Sequence, residues 1–220
     1  VISIGDCVFY GCSSLTSVTI PCRVTSIGNS AFSGCSNLTN ITIPDSVTSI
    51  GPSAFSSCHS LTSIPISNNV TSIGTNAFSE CHSLTSITIP DNVTSIGTSA
   101  FEDCHSLTSF YGKFASKDNR CLIVNGVLNS FAPAGLTTYT IPDIVTSIED
   151  CAFEHCCNLT SITIPDSVTA IGSGAFSRCL SLTNITIPNS VNAIETLTFL
   201  ECRSLTNITI PSSVTSIGYG

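Results

Sequence analysis

The sequence predicts a repeat solenoid, in which short units stack along one axis and share a parallel β-sheet on one face. Leucines recur every 23 residues, as at Leu61, Leu84 and Leu107, and the interval widens once, to 29, before Leu136. Each leucine begins a variant of L-T-S-I-T-I-P, whose alternating β-branched residues favour a strand. One unit cannot bury both of its faces, so it is stable only when stacked. The nine leucines that define the repeats are Leu15, Leu38, Leu61, Leu84, Leu107, Leu136, Leu159, Leu182 and Leu205.

Each repeat contains three segments in a constant order. In one copy, Leu84, Ile87 and Ile89 face one side of a strand, and Pro90 ends the strand because proline has no amide hydrogen to donate. A turn follows, and V-T-S-I is expected to form a second short extended segment that ends in a bend at Gly97. The string S-A-F-E-D-C then predicts a helical turn that buries alanine, phenylalanine and cysteine.

One repeat is irregular, because residues 110–135 replace the Ala-Phe-Cys turn with a longer segment. The dipeptide Asn125-Gly126 lies between the apolar runs C-L-I-V and V-L-N-S-F, a pattern typical of a β-hairpin. We therefore expect a hairpin at about residues 121–131, in the place of the turn.

The irregular segment also carries an unusual concentration of positive charge. Lys113, Lys117 and Arg120 are half of the 6 lysines and arginines in the chain. Two interpretations stay open at this point. The three side chains form a recognition patch, or they solubilise an edge of the solenoid, which is the simpler explanation.

Charge and composition disfavour several classes of partner. The formal net charge is −8 and only 9% of the residues are charged, so neither nucleic acid nor an anionic membrane surface is an expected ligand. No apolar run reaches about 18 residues, so we expect no membrane insertion. The chain begins at Val1 without a visible signal peptide and contains no methionine, which we interpret as a processed product or part of a longer protein.

Cysteine is the most distinctive feature of the composition, with 13 copies. Eight of them form a ladder, each three residues after a phenylalanine: Cys12, Cys35, Cys58, Cys81, Cys104, Cys156, Cys179 and Cys202. We expect buried free thiols there, because stacked parallel side chains rarely adopt a disulfide dihedral angle and an odd total prevents complete pairing. Outside the ladder, Cys151 with Cys156 or Cys157 is the first pairing to test.

Three histidines form a smaller ladder. His59, His82 and His105 each follow a ladder cysteine, so they should stack on the solvent side. Three imidazoles in a row can bind a metal ion, but a repeated loop position explains them more simply, and we expect no metal site. His155 lies outside this register.

No motif for catalysis is present. The sequence has neither G-x-S-x-G nor a phosphate-binding loop, and every histidine except one occupies a repeated position. We therefore predict a protein that is not an enzyme, with no catalytic residue and no cofactor.

The outward positions of the predicted sheet are the candidate ligand-binding residues, since they form a flat array of short hydroxyl and amide side chains. They offer hydrogen bonds at a spacing of about 4.8 Å, which suits extended protein segments or glycans. Alternatively, such side chains simply suit the surface of parallel strands, and a loose similarity to the threonine rows of ice-binding solenoids is a third interpretation. The candidates are Thr42, Ser86, Thr88, Tyr111, Thr138, Thr140, Thr163 and Thr186.

The repeated strings A-F-S-x-C-x-S-L-T-S-I-T-I-P and V-T-S-I-G resemble the BspA-like leucine-rich repeats, over essentially the whole chain. This resemblance implies a leucine-rich-repeat solenoid over residues 1–220, with the parallel sheet on one face and short extended segments and helical turns on the other. It also implies a secreted or surface-attached protein that adheres to host proteins or to neighbouring cells.

Two function hypotheses follow. The first is an adhesion module that binds a protein or carbohydrate through the sheet face, with or without the irregular segment. The second is a structural spacer or a filament subunit that stacks head to tail, since both ends of the sequence fall within a repeat and show no polar cap.

Overall fold

The computed structural model describes residues 3–220, which divide into two compact units. The boundary lies between Arg120 and Cys121, inside the irregular segment. Each unit is a stack of β-rich repeats. The repeat solenoid with parallel sheets that the sequence predicts is confirmed within each unit, while a single solenoid domain over residues 1–220 stays a prediction.

From residue 3 onwards, the first unit contains seven strands, and the strand pairs described there are all parallel. They are β1 (Ser3–Ile4), β2 (Ser26–Ile27), β3 (Ser49–Ile50), β4 (Ser72–Ile73), β5 (Ser86–Ile89), β6 (Ser95–Ile96) and β7 (Ser109–Gly112). The V-T-S-I segments form a five-stranded sheet in the order β1-β2-β3-β4-β6, and β5 pairs with β7 over four residues. Before β5, the L-T-S-I row consists of isolated bridges that join Ser17 to Asn40 and Asn40 to Ser63. The sheet with the most strands in this unit therefore belongs to the V-T-S-I row, which the sequence predicts only as a second short extended segment.

The second unit contains ten strands. They are β8 (Cys121–Val124), β9 (Val127–Phe131), β10 (Thr138–Thr140), β11 (Ser147–Ile148), β12 (Ser161–Thr163), β13 (Ala170–Ile171), β14 (Asn184–Thr186), β15 (Ala193–Ile194), β16 (Asn207–Thr209) and β17 (Ser216–Ile217). Here the L-x-x-I-x-I segments form the predicted parallel sheet, in the order β10-β12-β14-β16. The other sheets have the orders β13-β11-β9-β8 and β15-β17.

The predicted hairpin is confirmed. Strands β8 and β9 are antiparallel, and both Asn125 (φ 52°) and Gly126 (φ 83°) have the positive φ of a type I′ turn. Its position in the repeat differs from the expectation, because β9 pairs in parallel with β11 and so replaces a V-T-S-I segment. The buried Leu128 lies opposite Ile148 and fills the isoleucine position of that row.

The predicted helical turns are wrong, since residues 3–220 contain no helix. In the repeat around Phe32, the turn has left-handed residues at Ser30 (φ 52°) and Gly34 (φ 74°), which no right-handed helix accommodates. The amide of Phe32 instead donates to the carbonyl of Ala54 in the next repeat, at 2.8 Å. The turn therefore joins neighbouring repeats by hydrogen bonds.

Among the described residues, no helix is long and apolar enough to cross a membrane.

The core consists of repeated rows of leucine, isoleucine, phenylalanine and cysteine. In the first unit, the rings of Phe32 and Phe55 stack with centroids 5.3 Å apart, and Phe55 and Phe78 stack at 5.6 Å. In the second unit, the ring centroids of Phe131, in the hairpin, and Phe153 are 4.7 Å apart, so Phe131 continues the aromatic row. Identical side chains at 23-residue intervals therefore form continuous apolar columns within each unit.

The cysteine ladder is buried as predicted over most of its length. Six of the eight ladder residues are buried, while Cys12 is exposed and Cys202 is half-buried. Burial raises the pKa of the Cys58 thiol to about 12, with a smaller contribution from Cys35. Outside the ladder, the Cys151 sulfur lies 3.9 Å from the carbonyl oxygen of Ser173.

Candidate functional site

The best-formed part of the predicted binding face in the first unit is the pair of strands β5 and β7. Thr88 lies opposite Tyr111 in register, and Ser86 lies opposite Ser109. The alternate residue Ile87 is buried, so Thr88 and Tyr111 point to solvent on the same face. Tyr111 is 44% exposed and is the large aromatic side chain of this face.

A shallow groove runs beside β5. Its volume is about 240 Å³, and residues 63–66 line one side while residues 86–88 line the other. Pro65 occupies the position that threonine or tyrosine holds in the other repeats, and it has no amide to donate to a strand ladder. Among the described residues, no bridge continues the row from Ser63 into β5. Sequence analysis missed this groove, although a proline in a threonine position was the available signal.

Thr42 lies in the same row, two residues beyond the bridge residue Asn40. It is exposed between the buried side chains of Ile41 and Ile43, as predicted for an outward position. The structure therefore places Thr42 on the face formed by the I-T-I strings, one repeat before Pro65.

The three basic residues of the irregular segment differ in their surroundings and do not form one uniform exposed patch. The ammonium group of Lys113 donates to the backbone carbonyl of Asp91 and lies 4.7 Å from the centre of the Phe114 ring. Lys117 is exposed, and Arg120 is partly buried. Of the three, Lys117 is the most accessible to a ligand, while Lys113 fastens the loop after β7 to the preceding repeat.

The predicted residues of the second unit form an array in register. Thr138 lies opposite Ser161, and Thr140 lies opposite Thr163. Thr186 lies opposite Thr209 in the next strand pair, β14 and β16. The predicted threonines Thr138, Thr140, Thr163 and Thr186 are all exposed.

Two classes of exposed threonine have different hydrogen-bonding roles. In six repeats, the threonine that follows the repeat leucine donates its hydroxyl to the carbonyl at the same position of the preceding repeat, as from Thr183 to Thr160 at 3.1 Å. Thr39 does the same towards Thr16, at 3.4 Å. These hydroxyls support the stack, so the I-T-I threonines are the better candidates for ligand contact.

A second polar cluster lies elsewhere in the first unit. His59, His82 and His105 stack in consecutive repeats, with ring centroids 4.6 Å apart in both pairs. The carboxylates of Glu80 and Asp103 lie beside these rings, so three side chains of the cluster are able to bind one metal ion together. The cluster is separate in sequence from the strands that carry the sheet face.

Solved structures of several bacterial proteins have the same fold. A leucine-rich cell surface protein from Faecalibacterium prausnitzii is 31% identical, with a TM-score of 0.75 over 100% of this chain and 77% of that one. A leucine-rich repeat protein from T. pallidum is 32% identical, with a TM-score of 0.56 over 83% of this chain and 72% of that one. The pneumococcal vaccine antigen PcpA is 23% identical and supports the fold alone, with a TM-score of 0.76 over 92% of this chain and 58% of that one.

No curated protein matches the chain. The BspA type leucine-rich repeat region matches residues 1–116 and 128–220, in six copies. The gap between the two matched ranges contains the first strand of the hairpin, where the sequence departs from the repeat. The chain therefore belongs to the BspA-type leucine-rich repeat family.

Proposed function

We propose that this protein is a secreted or cell-surface adhesion module that binds a protein or carbohydrate ligand through its Ser/Thr/Asn-rich sheet face, without catalysis. The family and the similarity to a protein described as a cell surface protein support the location. The ligand lies on a host surface or on a neighbouring cell.

The observation that carries this proposal is the pairing of Thr88 with Tyr111 beside the Pro65 groove. A tyrosine ring offers a flat apolar surface for a sugar ring or a peptide side chain, and its hydroxyl forms hydrogen bonds at the edge. Thr88 adds a hydroxyl that loses little rotamer freedom on binding. Both side chains stand on paired strands, so the surface needs little ordering when a ligand arrives.

The charge of the chain constrains the chemistry of the ligand. With a net charge of −8 and few charged residues, binding relies on hydrogen bonds and apolar contacts more than on charge attraction. We therefore expect a neutral or weakly basic ligand, and an affinity that changes little between low and physiological salt.

The test is binding of the chain to an array of glycans and to immobilised matrix proteins. The double variant Thr88→Ala/Tyr111→Ala should lower affinity for the bound ligand at least about tenfold, the range expected when a central aromatic anchor is removed. Thr94→Ala is the matched control, because Thr94 is exposed in the same unit but lies on the V-T-S-I row, where its hydroxyl donates to Thr71. Equal affinity of the double variant and the control would contradict the assignment of this face.

The irregular segment is tested separately. Lys117→Ser should weaken binding if the segment contacts ligand, while an unchanged affinity limits the site to the strands.

Light scattering on the same samples addresses the alternative function, a filament subunit that stacks head to tail. Polymers that grow with concentration and lose no length in the Thr88/Tyr111 variant would favour the filament, in which exposed apolar residues such as Ile217 and Tyr219 contact another copy.

A further inference from the structure

The geometry points to a divalent transition-metal site centred on His82, formed by the histidine ladder and the carboxylates beside it. Two groups of three residues share His82: His59, Glu80 and His82, and then His82, Asp103 and His105. Within each group, the candidate ligand atoms all lie within 4.8 Å of one another. The expected ions are those that imidazole and carboxylate ligands prefer together, with Zn²⁺ as the representative.

The nitrogen–oxygen distances are those of long ion pairs, and they also match the separation of neighbouring ligand atoms around one metal ion. The Asp103 carboxylate lies 3.3 Å from His82 Nε2 and 3.5 Å from His105 Nδ1, and Glu80 lies 3.6 Å from His59 Nε2. Good hydrogen bonds between such groups are shorter, at about 2.7–2.9 Å. In a tetrahedral zinc site with bonds of about 2.1 Å, neighbouring ligand atoms are about 3.4 Å apart.

One nitrogen of the cluster lacks a hydrogen bond. His59 Nε2 is shielded from solvent and has no hydrogen-bond partner, although the ring as a whole is 43% exposed. A shielded polar atom without a hydrogen bond carries an energetic cost, which coordination to a metal removes. This atom belongs to the first of the two groups.

The local backbone explains why acid and imidazole meet. Glu80 and Asp103 occupy the left-handed position just before a ladder cysteine, with φ of 58° and 53°. In each repeat the histidine follows that cysteine. The carboxylate of one repeat therefore lies beside the histidine of the preceding repeat, as Glu80 lies beside His59 and Asp103 beside His82. The left-handed turn and the 23-residue period together build the cluster.

The same geometry sets the number of ions. A neutral imidazole has one nitrogen lone pair available, so His82 ligates one ion at a time and the two groups compete for it. In the second group, the Asp103 carboxylate lies close to two imidazoles, at 3.3 Å from His82 Nε2 and 3.5 Å from His105 Nδ1. In the first group, Glu80 lies close to His59, and the rings of His59 and His82 stack with centroids 4.6 Å apart. We therefore expect one ion per chain, with His82 as a ligand whichever of the two groups binds it.

The experiment is equilibrium dialysis of the full chain against Zn²⁺, after the exposed thiols have been alkylated under native conditions. The unsubstituted chain should bind one ion, and both His82→Ala and His82→Gln should lower the affinity at least tenfold. His155→Ala is the matched control, because His155 lies in the second unit beside Arg178 and should have no effect. Thermal unfolding of each variant without metal verifies that it is folded.

Two further readouts distinguish the ligands. Co²⁺ bound in place of Zn²⁺ should give visible bands without the intense near-ultraviolet charge-transfer band of thiolate ligands. Affinity should fall as the pH is lowered, because the imidazoles bind metal in their neutral form. Equal Zn²⁺ binding by the His82 and His155 variants would overturn the proposal, as would a thiolate band that persists in the alkylated chain.

Discussion

The thiol of Cys58 donates a hydrogen bond to the carbonyl oxygen of Phe32 in the preceding repeat, with the two atoms 3.3 Å apart. The same contact recurs from Cys81 to Phe55 and from Cys104 to Phe78. The carbonyl that accepts each thiol lies in the turn, whose own amides donate to the following repeat. The Phe32 carbonyl also accepts the amide of Cys35, at 3.1 Å. The cysteine thus fills the core and adds a second hydrogen bond to a backbone carbonyl, which an alanine or valine cannot do.

Substitution of this cysteine should therefore destabilise the chain. Cys58→Ala removes a buried sulfur and leaves the Phe32 carbonyl without the thiol, so the free energy of unfolding should fall by about 1–2 kcal/mol. Chemical denaturation measures the change. Cys22→Ala is the control, because Cys22 is exposed and its replacement should have an effect within about 0.5 kcal/mol. Equal effects of the two substitutions would show that the contact contributes nothing.

The buried thiols also predict a loss of stability at alkaline pH. Burial raises the pKa values of Cys58 and Cys104 to about 12, from an ordinary value of 9.0. Between these pH values the unfolded chain has released the thiol protons while the folded chain retains them, so the free energy of unfolding falls as pH rises. Below pH 9 this contribution is fully present.

Urea denaturation at pH 8, 9 and 10 measures this dependence. Cys58→Ala lacks one of the titrating groups, so its stability should fall less steeply above pH 9 than that of the unsubstituted chain. Parallel curves for the two proteins would indicate that the alkaline loss arises from other groups.

Much of the architecture follows from the 23-residue period. It locates the buried columns and the extended segments, and the Asn125-Gly126 dipeptide locates the hairpin. The Ala-Phe-Cys turn was misread because its left-handed positions are mostly filled by residues such as Ser53 and Glu80 that carry no turn signal. Gly34 and Gly174, at the aligned positions of other repeats, were the available indication.

The candidate sites were less predictable, because they depend on contacts between repeats. Thr88 and Tyr111 follow from alternation along a strand, which is local. The approach of Asp103 to His82 depends on a left-handed turn at a position where Asp103 itself gives a weaker signal than the aligned Gly34. The two rows of threonines look alike in the sequence. They differ in whether the hydroxyl donates to a carbonyl of the preceding repeat, as Thr183 does to Thr160, and only the structure shows that contact.

The glycine of the S-I-G string at position 74 packs closely against the backbone of the preceding repeat, although the aligned positions 149 and 195 of the second unit are glutamates. A Cβ atom at Gly74 would lie 2.4 Å from the backbone nitrogen of Pro52 and 2.6 Å from the carbonyl carbon of Gly51. Backbone atoms cannot move aside cheaply, so Gly74→Ala should lower the free energy of unfolding by about 3 kcal/mol. Chemical denaturation again provides the measurement.

Gly5 supplies the matched control for this prediction. It occupies the same position of the string, but a Cβ atom there would meet only the Val8 Cγ2 atom, at the ordinary contact distance of 3.5 Å. Gly5→Ala should change stability by no more than about 0.5 kcal/mol. A small effect at Gly74 would mean that the repeats separate to accept the methyl group.

Pro65 should weaken strand pairing in its own repeat, and it lines the groove beside β5. Pro65→Thr restores an amide donor and a β-branched side chain at a position where the other repeats have threonine or tyrosine, so the free energy of unfolding should rise by about 0.5–1 kcal/mol. Pro65→Ala restores the amide alone and should give the smaller increase, because alanine fits a strand less well. Thermal unfolding of the three proteins measures the order. If the groove receives part of the ligand, Pro65→Thr should weaken binding while it raises the melting temperature, and this opposition separates a ligand contact from a general loss of structure.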